Sequence, residues 1–162
     1  MSRAWCQVER ENCSGCIKPM GQSFPKIKII AVGKVKKPWL KDGIALYAKR
    51  LPEVEILEIK DSGKEKEADK LLNLVSAQDR LTVMAEYGAA KDSKSFSRWL
   101  AQEAFGTLVL FIGGPEGISD RLKKHPMISL STMTFPHEMA RLMLVEQLYR
   151  AKTILQNGSY HK

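Results

Sequence analysis

From Ile27 onward the chain alternates between two hydrophobic rhythms. Residues 27–33 (IKIIAVG) read as a strand closed by a glycine. Pro38 opens a helix through about Leu51, with Trp39, Leu40, Ile44, Tyr47 and Leu51 returning to one side at the helical period. Residues 54–60 (VEILEIK) alternate with the period of a strand. A turn-forming Asp61-Ser62-Gly63-Lys64 separates them from an amphipathic helix over 65–78. A third strand is predicted over 81–86, then a helix over 93–105 that carries Phe96, Trp99 and Leu100 inward. Thr107–Ile112 (TLVLFI) is apolar without a break, as in a strand covered on both faces.

Beyond Ile112 the rhythm changes. A glycine loop, GGPEG at 113–117, leads to a short helix around 119–124 and a short strand over 127–130. A loop over 132–136 then precedes a long final helix, His137–Leu155, and a tail over 157–162. The alternation predicts an α/β fold: a mostly parallel sheet with helices on both faces. In such sheets the ligand crevice lies at the carboxyl ends of the strands.

At 162 residues the chain is long enough for one domain and too short for two ordinary enzyme domains. That domain is expected over 23–162. Residues 1–22 are read as an N-terminal extension, either a disordered leader or an overlong start. All three cysteines, Cys6, Cys13 and Cys16, fall in it. Nothing later can pair with them, which excludes a disulfide-stapled body. Cys13 and Cys16 have metal-ligand spacing, but a zinc site would need a fourth ligand, so no metal is expected. No apolar run approaches the ~20 residues of a membrane helix and no signal-type stretch opens the chain, so the expectation is a cytoplasmic protein with no membrane partner.

The net charge is +8. Its source is local. Between residues 26 and 50, Lys26, Lys28, Lys34, Lys36, Lys37, Lys41, Lys49 and Arg50 are opposed by Asp42 alone. A solvated face explains scattered lysines; this one-sided cluster points to a phosphate backbone.

Two loops are candidates for chemistry. Gly113 and Gly114 remove side chains where a strand ends, which lets a ligand approach the backbone; a sharp structural turn fits the same residues. The loop is neither a dinucleotide fingerprint nor a Walker A motif. The segment Ser131-Thr132-Met133-Thr134-Phe135-Pro136-His137 gathers hydroxyls, a proline and a histidine ahead of the last helix. Helix capping by Thr134 accounts for it equally well. His137-Glu138 is no zincin motif, because Arg141 stands where the second histidine belongs.

Taken in order, IIAVGKVKKPW, FIGGPEGIS, SLSTMTFPHEMARLMLVEQLYRA and a Tyr-His-basic tail resemble one family. It is the SPOUT-class methyltransferases that modify a pseudouridine in helix 69 of the bacterial large-subunit (23S) rRNA, the RlmH family. The resemblance covers roughly 26–162. It implies S-adenosylmethionine (SAM) as methyl donor, a C-terminal trefoil knot, and a homodimer with active sites at the subunit interface. It places SAM on Met84, Gly114, and Ser131, Thr132, Met133, Thr134, Phe135 and Pro136. It places the substrate, ribosomal RNA, near His137, Arg141, Tyr149, Arg150 and the tail, to which the basic cluster adds Lys34, Lys36 and Lys37. The family's tail commonly reads Asn-His-Pro-Tyr-His-Arg; here Gly158-Ser159 replaces His-Pro and Lys162 replaces arginine. Gly-Ser is the more flexible pair, so a less ordered tail is expected.

The implied acceptor, N3 of pseudouridine, holds a proton at neutral pH. His161 is the first candidate to accept it and His137 the second, with Tyr160 stacking on the base and Arg150 holding a phosphate. A SPOUT enzyme acting on tRNA and a non-catalytic RNA-binding module are the competing readings.

Overall fold

A computed structural model describes residues 24–103 and 106–161. The three cysteines, Phe105 and Lys162 lie outside them. Five strands form one wholly parallel sheet: β1 (Lys26–Val32), β2 (Val54–Ile59), β3 (Arg80–Ala90), β4 (Thr107–Ile112) and β5 (Met127–Ser129). Their spatial order is β2-β1-β4-β3-β5. Four helices connect them: α1 (Pro38–Ala48), α2 (Lys64–Leu74), α3 (Ser93–Gln102) and α4 (His137–Leu155).

The parity of the strands divides the core into two layers. Ile27, Ile29, Leu108, Leu110 and Ile128 face one way and pack under Phe96 and Leu100 of α3 and Leu144, Val145 and Leu148 of α4. Ile30, Val32, Val83, Val109 and Phe111 face the other way, against Ala68 and Leu71 of α2 and Leu122. β4 is buried on both faces, as its unbroken apolar run requires.

Departures from the expected elements have local causes. α1 stops at Ala48, because Pro52 disfavours the helical conformation just before it and the chain turns through Leu51. Trp39, expected on the inner side, is 53% exposed. α2 ends at Leu74, where Val75 is already extended and Asp79 accepts from the Ser76 amide at 2.9 Å to close a turn. The short helix after the glycine loop is a single 3-10 turn, Asp120–Leu122, capped by the Ser119 hydroxyl.

β3 departs most. It was expected to end near Glu86 and runs on to Ala90. Met84 pairs with Ile128 of β5, the register then jumps, and Ala89 pairs with the same Ile128. Residues 85–88 bulge out between these contacts. Gly88 lies so close to β5 that a Cβ there would stand 2.7 Å from the backbone N and C of Ile128.

Candidate functional site

In a parallel sheet every strand delivers its carboxyl end to the same edge. The loops after β4 and β5 and the bulge of β3 enclose a cleft there of about 670 Å³. That volume lies within the range of roughly 300–1,000 Å³ typical of small-molecule sites.

Met84, at the end of the first half of β3, lines the cleft with its side chain almost buried. Gly113 and Gly114 line the opposite wall. A Cβ on Gly114 would lie 2.9 Å from Val32 Cγ1 and 3.2 Å from Glu67 Oε1, so only glycine fits. Gly114 to Gly117 close a tight turn, with the Gly117 amide donating to the Gly114 carbonyl at 3.1 Å and Gly117 at φ +80°. The sharp turn is thus also a wall of the cleft. Behind it sits Glu67, a buried carboxylate on α2 that accepts from the Ser62 amide at 3.2 Å.

The third wall is the loop before α4. Ser131, Met133, Thr134, Phe135 and Pro136 line the cleft; Thr132, in the same loop, is exposed and stands outside the wall. Thr134 does not cap α4. The N-cap is Pro136, without a side-chain bond, and the Thr134 hydroxyl instead donates to Glu86 Oε2 at 2.6 Å. This contact ties the loop to the β3 bulge across the cleft. His137, the first residue of α4, completes the wall.

The first turns of α4 also fix the lysine loop that follows β1. Glu138 Oε2 accepts from the Lys36 amide at 2.8 Å, and this bond holds the Glu138 carboxyl below its usual range. Arg141 Nη2 donates to the Gly33 carbonyl at 2.9 Å and to the Val32 carbonyl at 3.2 Å, while Nη1 pairs with Glu58 of β2 at 2.5 Å. Lys34, Lys36 and Lys37 are therefore exposed on a pinned loop. Arg141 itself is 1% exposed. It was expected among substrate contacts; the structure buries it beneath the loop.

Tyr149, Arg150, Tyr160 and His161 gather at the other end of α4. Tyr149 lies twelve helical steps beyond His137, which is about 18 Å. Tyr160 packs edge-on against Tyr149, with ring centroids 4.8 Å apart, and lies 6.5 Å from Tyr47 of α1. The Arg150 guanidinium sits 4.9 Å from the Tyr160 ring centre, and Arg50 sits 5.3 Å from that of Tyr149. Burial first, then the bond with Tyr47 and the nearby Glu146 charge, push the Tyr160 phenol well above its ordinary range. It stays protonated and does not act as a base at neutral pH.

Residues 157–161 of the tail turn back onto the end of α4. The Gly158 amide donates to the Thr153 carbonyl at 2.7 Å, Asn157 takes the left-handed conformation at φ 55°, and Ser159–His161 form a 3-10 turn. A Cβ at Gly158 would stand 3.2 Å from the Thr153 carbonyl oxygen, so the glycine permits this close return.

The match to known proteins agrees with this geometry. A family model described as a predicted SPOUT methyltransferase matches residues 26–161. The chain belongs to the SPOUT methyltransferase family. Among its relatives is a protein of Parasynechococcus marenigrum (strain WH8102) named ribosomal RNA large subunit methyltransferase H. It is 48% identical over 139 residues, covering 85% of this chain and 96% of the relative. A protein of the same name from Prochlorococcus marinus (strain MIT 9303) is 47% identical over 137 residues, 83% of this chain and 91% of its own length.

Within this SPOUT domain one chain gathers Met84, Gly114 and most of the 131–136 loop, and it leaves Tyr160 and His161 apart from them. Glu58, Glu67, Glu86 and Tyr47 carry no sequence signal of their roles. Glu58, Glu86 and Tyr47 act through partners distant in the chain, and Glu67 matters through its nearness to Gly114; spacing reveals none of these.

Proposed function

We propose that this chain is a SAM-dependent rRNA methyltransferase that methylates N3 of a pseudouridine in helix 69 of the large-subunit rRNA. The observation that carries the reading is the glycine-walled cleft shared by Met84, Gly114 and the loop before α4. The names of the relatives support the RNA substrate.

The residues present fit SAM. Met84 and Leu130 offer apolar surface to an adenine. Gly114 brings bare backbone to the ligand, and the 131–136 loop adds backbone groups and hydroxyls. SAM, when bound, supplies a methyl group already activated on a sulfonium. The protein's task is then chiefly to position the acceptor, an entropic contribution. Lys34, Lys36 and Lys37 hold RNA phosphates from their pinned loop. Tyr160 stacks on the unstacked acceptor base, and Arg150 meets a phosphate. The N3 proton passes to His161, whose Nδ1 is buried with no hydrogen-bond partner among the described residues. His137 is the second candidate.

Tyr160 and His161 reach a cleft only if a second copy supplies them, so we place the working enzyme as a homodimer. Trp39 and Leu46, each 53% exposed on α1, give such a partner an apolar face. We place a trefoil knot near the C-terminus, as the family resemblance implies. Work on ribosomes sets the protein in the cytoplasm.

The test is calorimetric titration of the purified protein with SAM. Saturable binding is expected, reduced at least tenfold in Gly114→Ala. No binding by folded protein would overturn the reading.

A further inference from the structure

Four elements converge at the tail end of α4, and one carboxylate joins them. Glu146 Oε1 accepts from Arg150 Nη2 at 2.6 Å, from Arg150 Nε at 3.0 Å and from the Tyr160 hydroxyl at 3.1 Å. Glu146 Oε2 accepts from Gln147 Nε2 at 2.7 Å. Gln147 Oε1 in turn accepts from the Ser93 hydroxyl of α3 at 2.8 Å. The direction of the remaining bond follows. A carboxylate has no proton to give, so the Tyr160 hydroxyl is the donor to Glu146. The Tyr47 hydroxyl, 3.1 Å from that of Tyr160, must then donate to it. The chain runs from Tyr47 through Tyr160 to Glu146.

We propose that Glu146 and Tyr47 are positioning residues that fix Tyr160 and Arg150 in the geometry in which they meet the RNA acceptor. The inference rests on the functional reading above. Tyr160 follows Gly158-Ser159 near a chain end, where conformational freedom is greatest. Its phenol gains two directional anchors, one from α1 and one from α4. The same Glu146 oxygen takes up two of Arg150's donors, leaving Nη1 for a phosphate. Because one atom orients both side chains, displacing either disturbs the other. Neither Glu146 nor Tyr47 needs to touch the RNA.

The experiment is a double-mutant cycle of Tyr47→Phe and Tyr160→Phe in single-turnover methyl transfer, with Glu146→Gln alongside. Fluorotyrosine labelling adds a ¹⁹F NMR signal from Tyr160 as a readout without catalysis. Tyr47→Phe keeps its ring and packing and loses only the donor. The expected result is a rate reduced at least fivefold in Tyr47→Phe and at least tenfold in Glu146→Gln, with SAM affinity unchanged and the Tyr160 resonance shifted. Once Tyr160 is phenylalanine, Tyr47→Phe should cost nothing further. Rates within twofold of wild type in both variants, or full additivity in the cycle, would overturn the proposal. If the wild type transfers no methyl group, the functional reading fails. The Tyr160 resonance then decides alone: a shift in both variants upholds the positioning, and an unchanged resonance overturns it.

Discussion

Arg141 shows how burial assigns a residue its work. A guanidinium with almost no exposed surface must find its partners inside, and this one holds two carbonyls and Glu58. Arg141→Met strips the Val32 and Gly33 carbonyls of their donor. At about 1–3 kcal/mol for a buried group left unsatisfied, a loss near 3 kcal/mol is expected. Urea denaturation checks it; a loss below 1 kcal/mol would show that the ties to the lysine loop contribute little. The sequence placed Arg141 by resemblance on the substrate side. Its partner lies 83 positions away, on a strand whose Glu58 looks like any outward residue of an alternating pattern. Glu67 comes to lie behind Gly114 only once the chain is folded, which no local pattern shows. Glycine was more legible: Gly114 was singled out because it ends an apolar strand, and the 2.9 Å approach of Val32 supplies the physical cause.

Among elements, α4 and β4 appear with the bounds the pattern predicts. Both have strong signals, an apolar stripe over five turns and an unbroken apolar run. β3 was half legible. Alternation ends near Glu86, and nothing in AEYGAA announces that the chain returns to β5 at Ala89. The return depends on Gly88 lying against the backbone of Ile128. Gly88→Ala therefore forces β3 and β5 apart and is expected to cost several kcal/mol or to prevent folding, measured by thermal unfolding. A variant as stable as the wild type would contradict that packing. α1 departs from the pattern twice: it ends at Ala48 rather than near Leu51, and Trp39 belongs to its exposed side.

At the scale of the whole molecule, charge and cleft meet at one edge of the sheet. The first turns of α4 carry His137 into the cleft wall and hold the lysine loop through Glu138 and Arg141. Phosphate contacts release counterions, so RNA binding should weaken steeply with salt. Replacing Lys34, Lys36 and Lys37 together by alanine should reduce the slope of log affinity against log salt by about 2–3. An unchanged slope would remove this loop from the RNA interface. The α/β class and the cleft's location followed from strand–helix alternation. The separation of cleft and tail did not, because distance along a helix becomes meaningful only once both of its ends are placed.

The most direct measurement is methyl transfer from SAM by the purified protein to ribosomes lacking the modification, with the rRNA fragments mapped by mass spectrometry. The account predicts one added methyl group on a pseudouridine of helix 69, and none on tRNA offered in the same reaction. Methylation of tRNA instead, or no transfer by protein shown to bind SAM, would contradict it.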